Sequence, residues 1–244
     1  MIFNMAGGGA VTDAPIIGTD FTWTGGDGTY QVLDDGDGNW RIKFLASGTF
    51  TPLRDMRIDV FCVGGGGGKG LQYAGGGGAG YTTTVKSVVV TANTAYPIVV
   101  GAAGANGVSG ASDGTNGGDS VAFNVTAFGG KGTAYSNSSS SRKPGGNGGS
   151  GGGSTITTPG YLIGAGGVDG GDGESVGTQV GGTGQGTTTR EFGEATGDLY
   201  ATGGGNVLQS TEPNSGNGGG RLDKDTWVAP ADGIVVIRQH KEDA

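Results

Sequence analysis

Cysteine, histidine and proline are scarce in this chain of 244 residues, which holds one Cys, one His and seven Pro. With Cys62 alone, no disulfide can form within one copy. The single histidine, His240, leaves a nucleophilic triad without the base that must titrate near neutrality, and its place near the C-terminus reads as a disordered tail. So little proline excludes collagen, whose triplet phase is in any case interrupted here. No apolar run approaches the ~18–20 residues of a membrane-spanning helix. Met1–Ala10 lacks the basic stretch that opens a secretory signal. Basic residues are also few, 14 against 22 acidic, for a net charge of −8. Scattered thinly, they offer no patch to a phosphate backbone, so no nucleic acid is expected as a partner.

Large apolar residues are sparse as well. Leu, Ile, Val and Phe total 46 of 244, just under the ~20% at which disorder becomes a live option. In their place stand 60 glycines, about a quarter of the chain against a usual share of ~7%. Composition alone therefore points to low complexity, and the arrangement of the glycines points the other way.

Glycine is absent from Tyr81 to Val100 and from Asp119 to Phe128. Those gaps carry β-forming residues: strands are expected at 81–90, 95–100 and 121–128, with 91–94 as a hairpin loop between the first two. Further strands read at 40–45, 48–51, 57–63 and 233–239, and Leu33–Trp40 as a hairpin tip after a strand at 30–33. Alternation in Arg57–Val63 puts Ile58, Val60 and Cys62 on one face, so Cys62 reads as a buried core residue. No segment sustains a helical period with caps. The scaffold is expected to be all-β with essentially no α-helix.

Within the clusters, glycine recurs every third residue at 101, 104, 107 and 110, at 145, 148 and 151, at 164, 167, 170 and 173, and at 181 and 184. Three residues per turn is the period of the polyproline II conformation, which has no internal hydrogen bonds. Glycine edges let several such helices approach closely and satisfy one another's N–H and C=O groups. The expectation is a raft of packed polyglycine II helices bridged by strands; a flexible Gly/Ser tether is the bland alternative.

A glycine surface has little with which to recognise a ligand, so the segments that interrupt it are the candidate sites. They supply Leu71, Gln72 and Tyr73; Tyr135, Asn137, Arg142 and Lys143; Tyr161 and Leu162; and Val207, Leu208 and Gln209. Aromatic faces stack on sugar rings and polar side chains bond hydroxyls, which suits a carbohydrate or protein surface. Ordinary crossover loops are the competing reading. Thr187–Tyr200, with Arg190, Glu191, Glu194 and Asp198, reads as a structural insert with Phe192, Leu199 and Tyr200 packing inward.

Other chemistry fits poorly. Asp34, Asp35 and Asp37, or Asp169, Asp172 and Glu174, supply carboxylates for glycoside hydrolysis, yet Asp-Gly runs form turns first. Asp35–Asn39 starts like a calcium loop, but Trp40 replaces the glycine and Ala46 the closing glutamate. Zinc has no ligand set. Lys69 is followed by Gly70 and Leu71, which breaks a phosphate-loop pattern. No catalytic residue, metal or cofactor is expected.

Gly48–Pro52, Ile58–Gly68, Gly75–Tyr81, Thr91–Gly104, Gly118–Phe123 and Gly233–Arg238 together resemble the glycine-rich domain of bacteriophage and prophage tail-fibre and receptor-binding proteins. The resemblance spans about residues 48–240. It implies a jelly-roll-like antiparallel β-sandwich combined with packed polyglycine II helices, whose loops bind a bacterial surface glycan or protein. It further implies location at a tail-fibre tip in the virion, assembly in the host cytoplasm, a fibre or baseplate partner, and a possible homotrimer, with neither membrane insertion nor enzymatic activity. A non-binding structural virion component is the alternative, and a polysaccharide depolymerase a lesser one. Residues 1–47, a flexible start and a small β unit, read as an attachment region preceding the glycine-rich domain at 48–244.

Overall fold

A computed structural model describes residues 14–36, 38–108, 110, 112–138, 140, 142–154, 163–166, 171–173, 189–205, 212–221 and 226–240. It is an all-β protein built from an antiparallel sandwich and a polyglycine array. The strands are β1 (Phe21–Trp23), β2 (Tyr30–Gly36), β3 (Asn39–Phe44), β4 (Gly48–Pro52), β5 (Met56–Val63), β6 (Thr82–Val90), β7 (Tyr96–Val99), β8 (Ser120–Ala122), β9 (Val125–Ala127), β10 (Gly220–Arg221), β11 (Trp227–Val228) and β12 (Ile234–Gln239). One sheet has the order β1-β4-β7-β8-β9 and the facing sheet β2-β3-β12-β5-β6. A 3-10 turn at Glu191–Gly193 is the one helical element among the described residues.

The core between the sheets follows from the period of two along each strand. Trp40, Ile42 and Phe44 of β3, Ile58, Val60 and Cys62 of β5 and Val235 and Ile237 of β12 face Phe21, Trp23, Phe50, Ile98 and Ala122 of the other sheet. The Trp23 and Phe44 rings lie 4.7 Å apart and those of Phe44 and Phe50 5.7 Å, edge-on. Cys62 is fully buried as expected, and burial pushes its thiol up to about 12.

Two expected strand arrangements differ. The loop at 91–94 joins no hairpin: β6 pairs with β5 and β7 with β4 and β8, so this loop carries the chain from one sheet to the other. The expected strand at 121–128 is instead the hairpin β8–β9, which turns at Phe123 and Asn124 with φ of +50° and +63°. An aromatic in left-handed backbone is hard to foresee from propensity. Strands β1 to β3 hydrogen-bond into both sheets, β1 to β4 and β3 to β12. His240 is no disordered tail either. Its N–H bonds the Arg57 carbonyl and its Nδ1 lies 2.6 Å from Asp59 Oδ1.

Beyond the sandwich, glycine segments pack side by side. Segment 64–70 has six neighbours among the described residues. Gly64 and Gly67 donate to Tyr81 and Gly78; Gly65 and Gly68 donate to Gly118 and Thr115; Gly66 donates to Ala231. Their carbonyls accept from Gly130 and Thr133, from Gly104 and Gly107, and from Gly219. Four of these partner segments bond again three residues on, the signature of a threefold helix with lateral bonding. Segment 75–80 is surrounded in the same way by 64–67, 128–131, 144–149, 150–153, 204 and 216–219. A tether would leave these amides to water. In the array they have protein partners at 2.7–3.1 Å.

Candidate functional site

The array runs up and down between the sandwich and one free end. Segment 64–70 leaves β5 and 75–80 returns to β6, while 101–107 leaves β7 and 112–118 returns to β8. Likewise 129–133 leaves β9, and 144–149 comes back beside Ala79. The reversals at 71–74, between 107 and 112 and between 133 and 144 therefore gather at the end far from the sandwich. Seven residues of threefold helix hold it about 20 Å away.

Backbone bonds join these reversals into one surface. Leu71 N–H donates to Ser112 O (3.3 Å) and Tyr73 N–H to Ser136 O (3.3 Å), while Lys143 N–H donates back to Tyr73 O (3.2 Å). Gln72 bridges Ser136 and Ala74 bridges Lys143 as isolated parallel β pairs. Tyr135 N–H donates to Asp113 Oδ1 at 2.7 Å. Gln72 has φ +56°, left-handed backbone filled by a residue other than glycine. Such positions persist where surrounding structure fixes them.

Seven of the expected binding residues, Leu71, Gln72, Tyr73, Tyr135, Asn137, Arg142 and Lys143, thus share this end. Gln72, Tyr73, Asn137 and Lys143 are exposed; Leu71, Tyr135 and Arg142 are half-buried. Tyr73 is 40% exposed, with the Arg142 guanidinium 5.9 Å from its ring centre. Tyr161, Leu162, Val207, Leu208 and Gln209 lie outside the described residues, although segments 150–154 and 201–205 run toward the same end.

Beneath the tip lies a residue that the sequence left unexplained. Lys69 is fully buried, and its ammonium donates to the Ala74 carbonyl and to Gly75 O (3.4 Å), at 5.5 Å from the Trp227 ring centre. Thr133 Oγ1 also bonds Gly75 O, at 2.9 Å. The reversal that presents Tyr73 is thereby anchored from inside.

The glycine-rich domain family matches residues 45–239, which takes in the sandwich from the end of β3 and all of the array. The chain belongs to the glycine-rich domain family. No curated protein matches it.

At the opposite end of this glycine-rich domain, residues 189–201 cover the outer face of the β3-β12-β5 sheet. Phe192 and Tyr200 pack against Phe61, Val63 and Val236, as the sequence indicates, while Leu199 stays 42% exposed. The charged residues of the insert are tied down as well. Buried Glu191 pairs with Arg41 and with Lys43 Nζ (2.5 Å), and Tyr200 Oη donates to Glu191 Oε1 (2.7 Å). Burial, then the Glu191 carboxylate, pushes the Tyr200 hydroxyl well above its usual range. Arg238 bonds Asp59 (3.0 Å) and Glu194 (2.5 Å), and its guanidinium lies 4.2 Å from the Phe192 ring centre.

Burial alone would raise the Asp59 carboxyl. The bonds from His240, Ser87 N–H and Arg238 outweigh it and hold the group below its usual value. The cleft here, about 200 Å³, is lined by Asp35, Arg41, Glu191, Glu194 and Arg238, all engaged in ion pairs. Sequence reading missed this network. Its signal was the alternation that places Arg41 and Lys43 opposite the acidic insert. Among the described residues, no group of three His, Cys, Asp or Glu could hold a metal ion.

Proposed function

We propose that this chain is a non-enzymatic adhesin of a phage or phage-derived tail fibre, which binds a bacterial surface through the loops at the free end of its polyglycine array. One observation carries the reading. Three reversals separated in sequence are stapled into a single tip, far from the sandwich, with an exposed tyrosine held over a rigid base. A rigid lattice fixes loop positions while leaving their side chains free to differ, the arrangement that recognition loops need. Further support comes from the charged cleft. Its carboxylates are matched by cations in the manner of a structural clamp, which disfavours the acid–base pair of a depolymerase. The location in this reading is the virion, after assembly in the host cytoplasm, on a fibre or baseplate partner.

Tyr73→Ala combined with Tyr135→Ala should reduce adsorption of the purified chain to host cells at least tenfold, about 1.4 kcal/mol, with an unchanged CD spectrum. Full adsorption by the double variant refutes the tip as the binding surface. A wild-type chain that never adsorbs to cells yet enters particles stoichiometrically refutes adhesion in favour of a structural virion role.

A further inference from the structure

Cations are distributed unevenly over the molecule. In the sandwich, Arg41, Lys43, Arg54 and Arg238 each have a carboxylate partner, and Arg57 bonds the Ser87 hydroxyl (2.7 Å). At the tip, Arg142 and Lys143 are adjacent in sequence, and neither has a carboxylate partner among the described residues. The Arg142 Nε is buried without a hydrogen-bond partner, an arrangement that native structures largely avoid. Its guanidinium lies 5.9 Å from the ring centre of Tyr73, an exposed residue. The acidic residue at the base of the joined loops, Asp113, has one carboxylate oxygen occupied by the Tyr135 N–H. In a chain of net charge −8, these two cations beside an exposed aromatic form, among the described residues of the free end, a local reversal of sign.

On the strength of the adhesin reading, we infer that the tip takes an anionic glycan, a polysaccharide carrying phosphodiester or carboxylate groups. Guanidinium forks match either anion, since their fixed N–H groups bond two oxygens at once. The Tyr73 face supplies the stacking surface for the adjoining sugar ring. The overall negative charge repels a polyanion elsewhere on the molecule, so approach is productive only end-on. Lys69, which anchors the reversal under Tyr73, is a positioning residue for this contact.

Biolayer interferometry with the full chain tests the assignment, using phosphomannan for the phosphodiester, polygalacturonate for the carboxylate and dextran as the neutral glycan. At least one polyanion should bind and dextran should not; the bound member tells the two anions apart. Affinity should fall steeply between about 50 and 500 mM salt. Arg142→Gln with Lys143→Gln should weaken binding at least tenfold and flatten the salt dependence, whereas Lys86→Gln on β6 should leave both unchanged. Lys69→Met should lower affinity with the salt slope retained, and Lys69→Arg should restore part of it.

Equal binding of dextran, or an undiminished Arg142/Lys143 double variant, overturns the assignment. So does a Lys86→Gln loss as large as that of the double variant, which would make the attraction one of net charge only. Cell adsorption is read separately. Adsorption that persists with no polyanion preference overturns the anionic glycan, points to a protein receptor and leaves the adhesin reading standing. Absence of any adsorption is the outcome that removes the adhesin reading itself.

Discussion

Gly77 shows why the array needs glycine: a Cβ there would lie 1.9 Å from the Gly67 carbonyl oxygen, and one at Gly66 1.9 Å from that of Asn217. Backbone cannot yield as a flexible side chain does, so overpacking at this position propagates through the array. Gly77→Ala should cost at least about 3 kcal/mol, measured by denaturant melts, with exposed Ala105→Ser as the neutral control. The two positions in these central segments that are not glycine, Lys69 and Ala79, have somewhere to put a side chain. Lys69 reaches the tip carbonyls, and Ala79 packs with Phe61 and Val63 under the insert. At the sandwich end, Asp59 governs a pH effect. Its carboxyl titrates lower folded than unfolded, so its contribution is complete above the ordinary carboxylate range near pH ~4 and drains away as pH falls through the depressed value. Asp59→Asn should therefore destabilise at pH 7 and narrow the stability difference from wild type near pH 3, as read by thermal melts across that window. Asp198, held low first by the Lys43 bond, acts in the same direction, but its exposure leaves that pair weak.

Among the elements, the threefold helices are the unusual ones. A single polyglycine II helix has no bonds of its own, and glycine loses more backbone entropy on ordering than any other residue. Segments 64–70 and 75–80 recover this through bonds to neighbours on all sides, at a net ~0.5–1.5 kcal/mol each. Hydrogen exchange should find the amides of Gly65–Gly68 and Gly76–Gly80 protected as strongly as those of β5 and β12, despite the absence of large side chains around most of them. Exchange at loop rates there would mean that the lattice does not form in solution. The phase of three was legible at 101–107, where Gly104 and Gly107 donate inward to segment 64–70 and Ala102 and Ala105 face solvent. Segments 64–70 and 75–80, almost wholly glycine, show no phase in sequence. An interior helix touches neighbours on every side and so has no outward position to mark.

For the whole molecule, the order of strands decides cooperativity. β12, at the end of the described chain, lies between β3 and β5 at the centre of its sheet. Segment 229–233 before it bonds Gly66, Asn217 and Gly101. A chain truncated after residue 233 should lose the cooperative unfolding transition altogether, because removing a central strand exposes the ladders of both neighbours. The sequence by itself determined the class of fold, the strands at 82–90 and 96–99 in the first glycine gap and the buried Cys62, and its phase of three favoured a glycine lattice over a tether. These follow from local periods, of two along the strands and of three in glycine segments such as 101–107. Only the tertiary structure decided which sheet each strand joins, that 71–74 and 134–143 meet at one tip, that Lys69 props it, and that Arg41, Lys43 and Glu191 clamp the insert. Those facts depend on contacts between residues far apart in the chain, such as Arg41 with Glu191, and no local pattern encodes which distant partner a backbone edge or a charge will find.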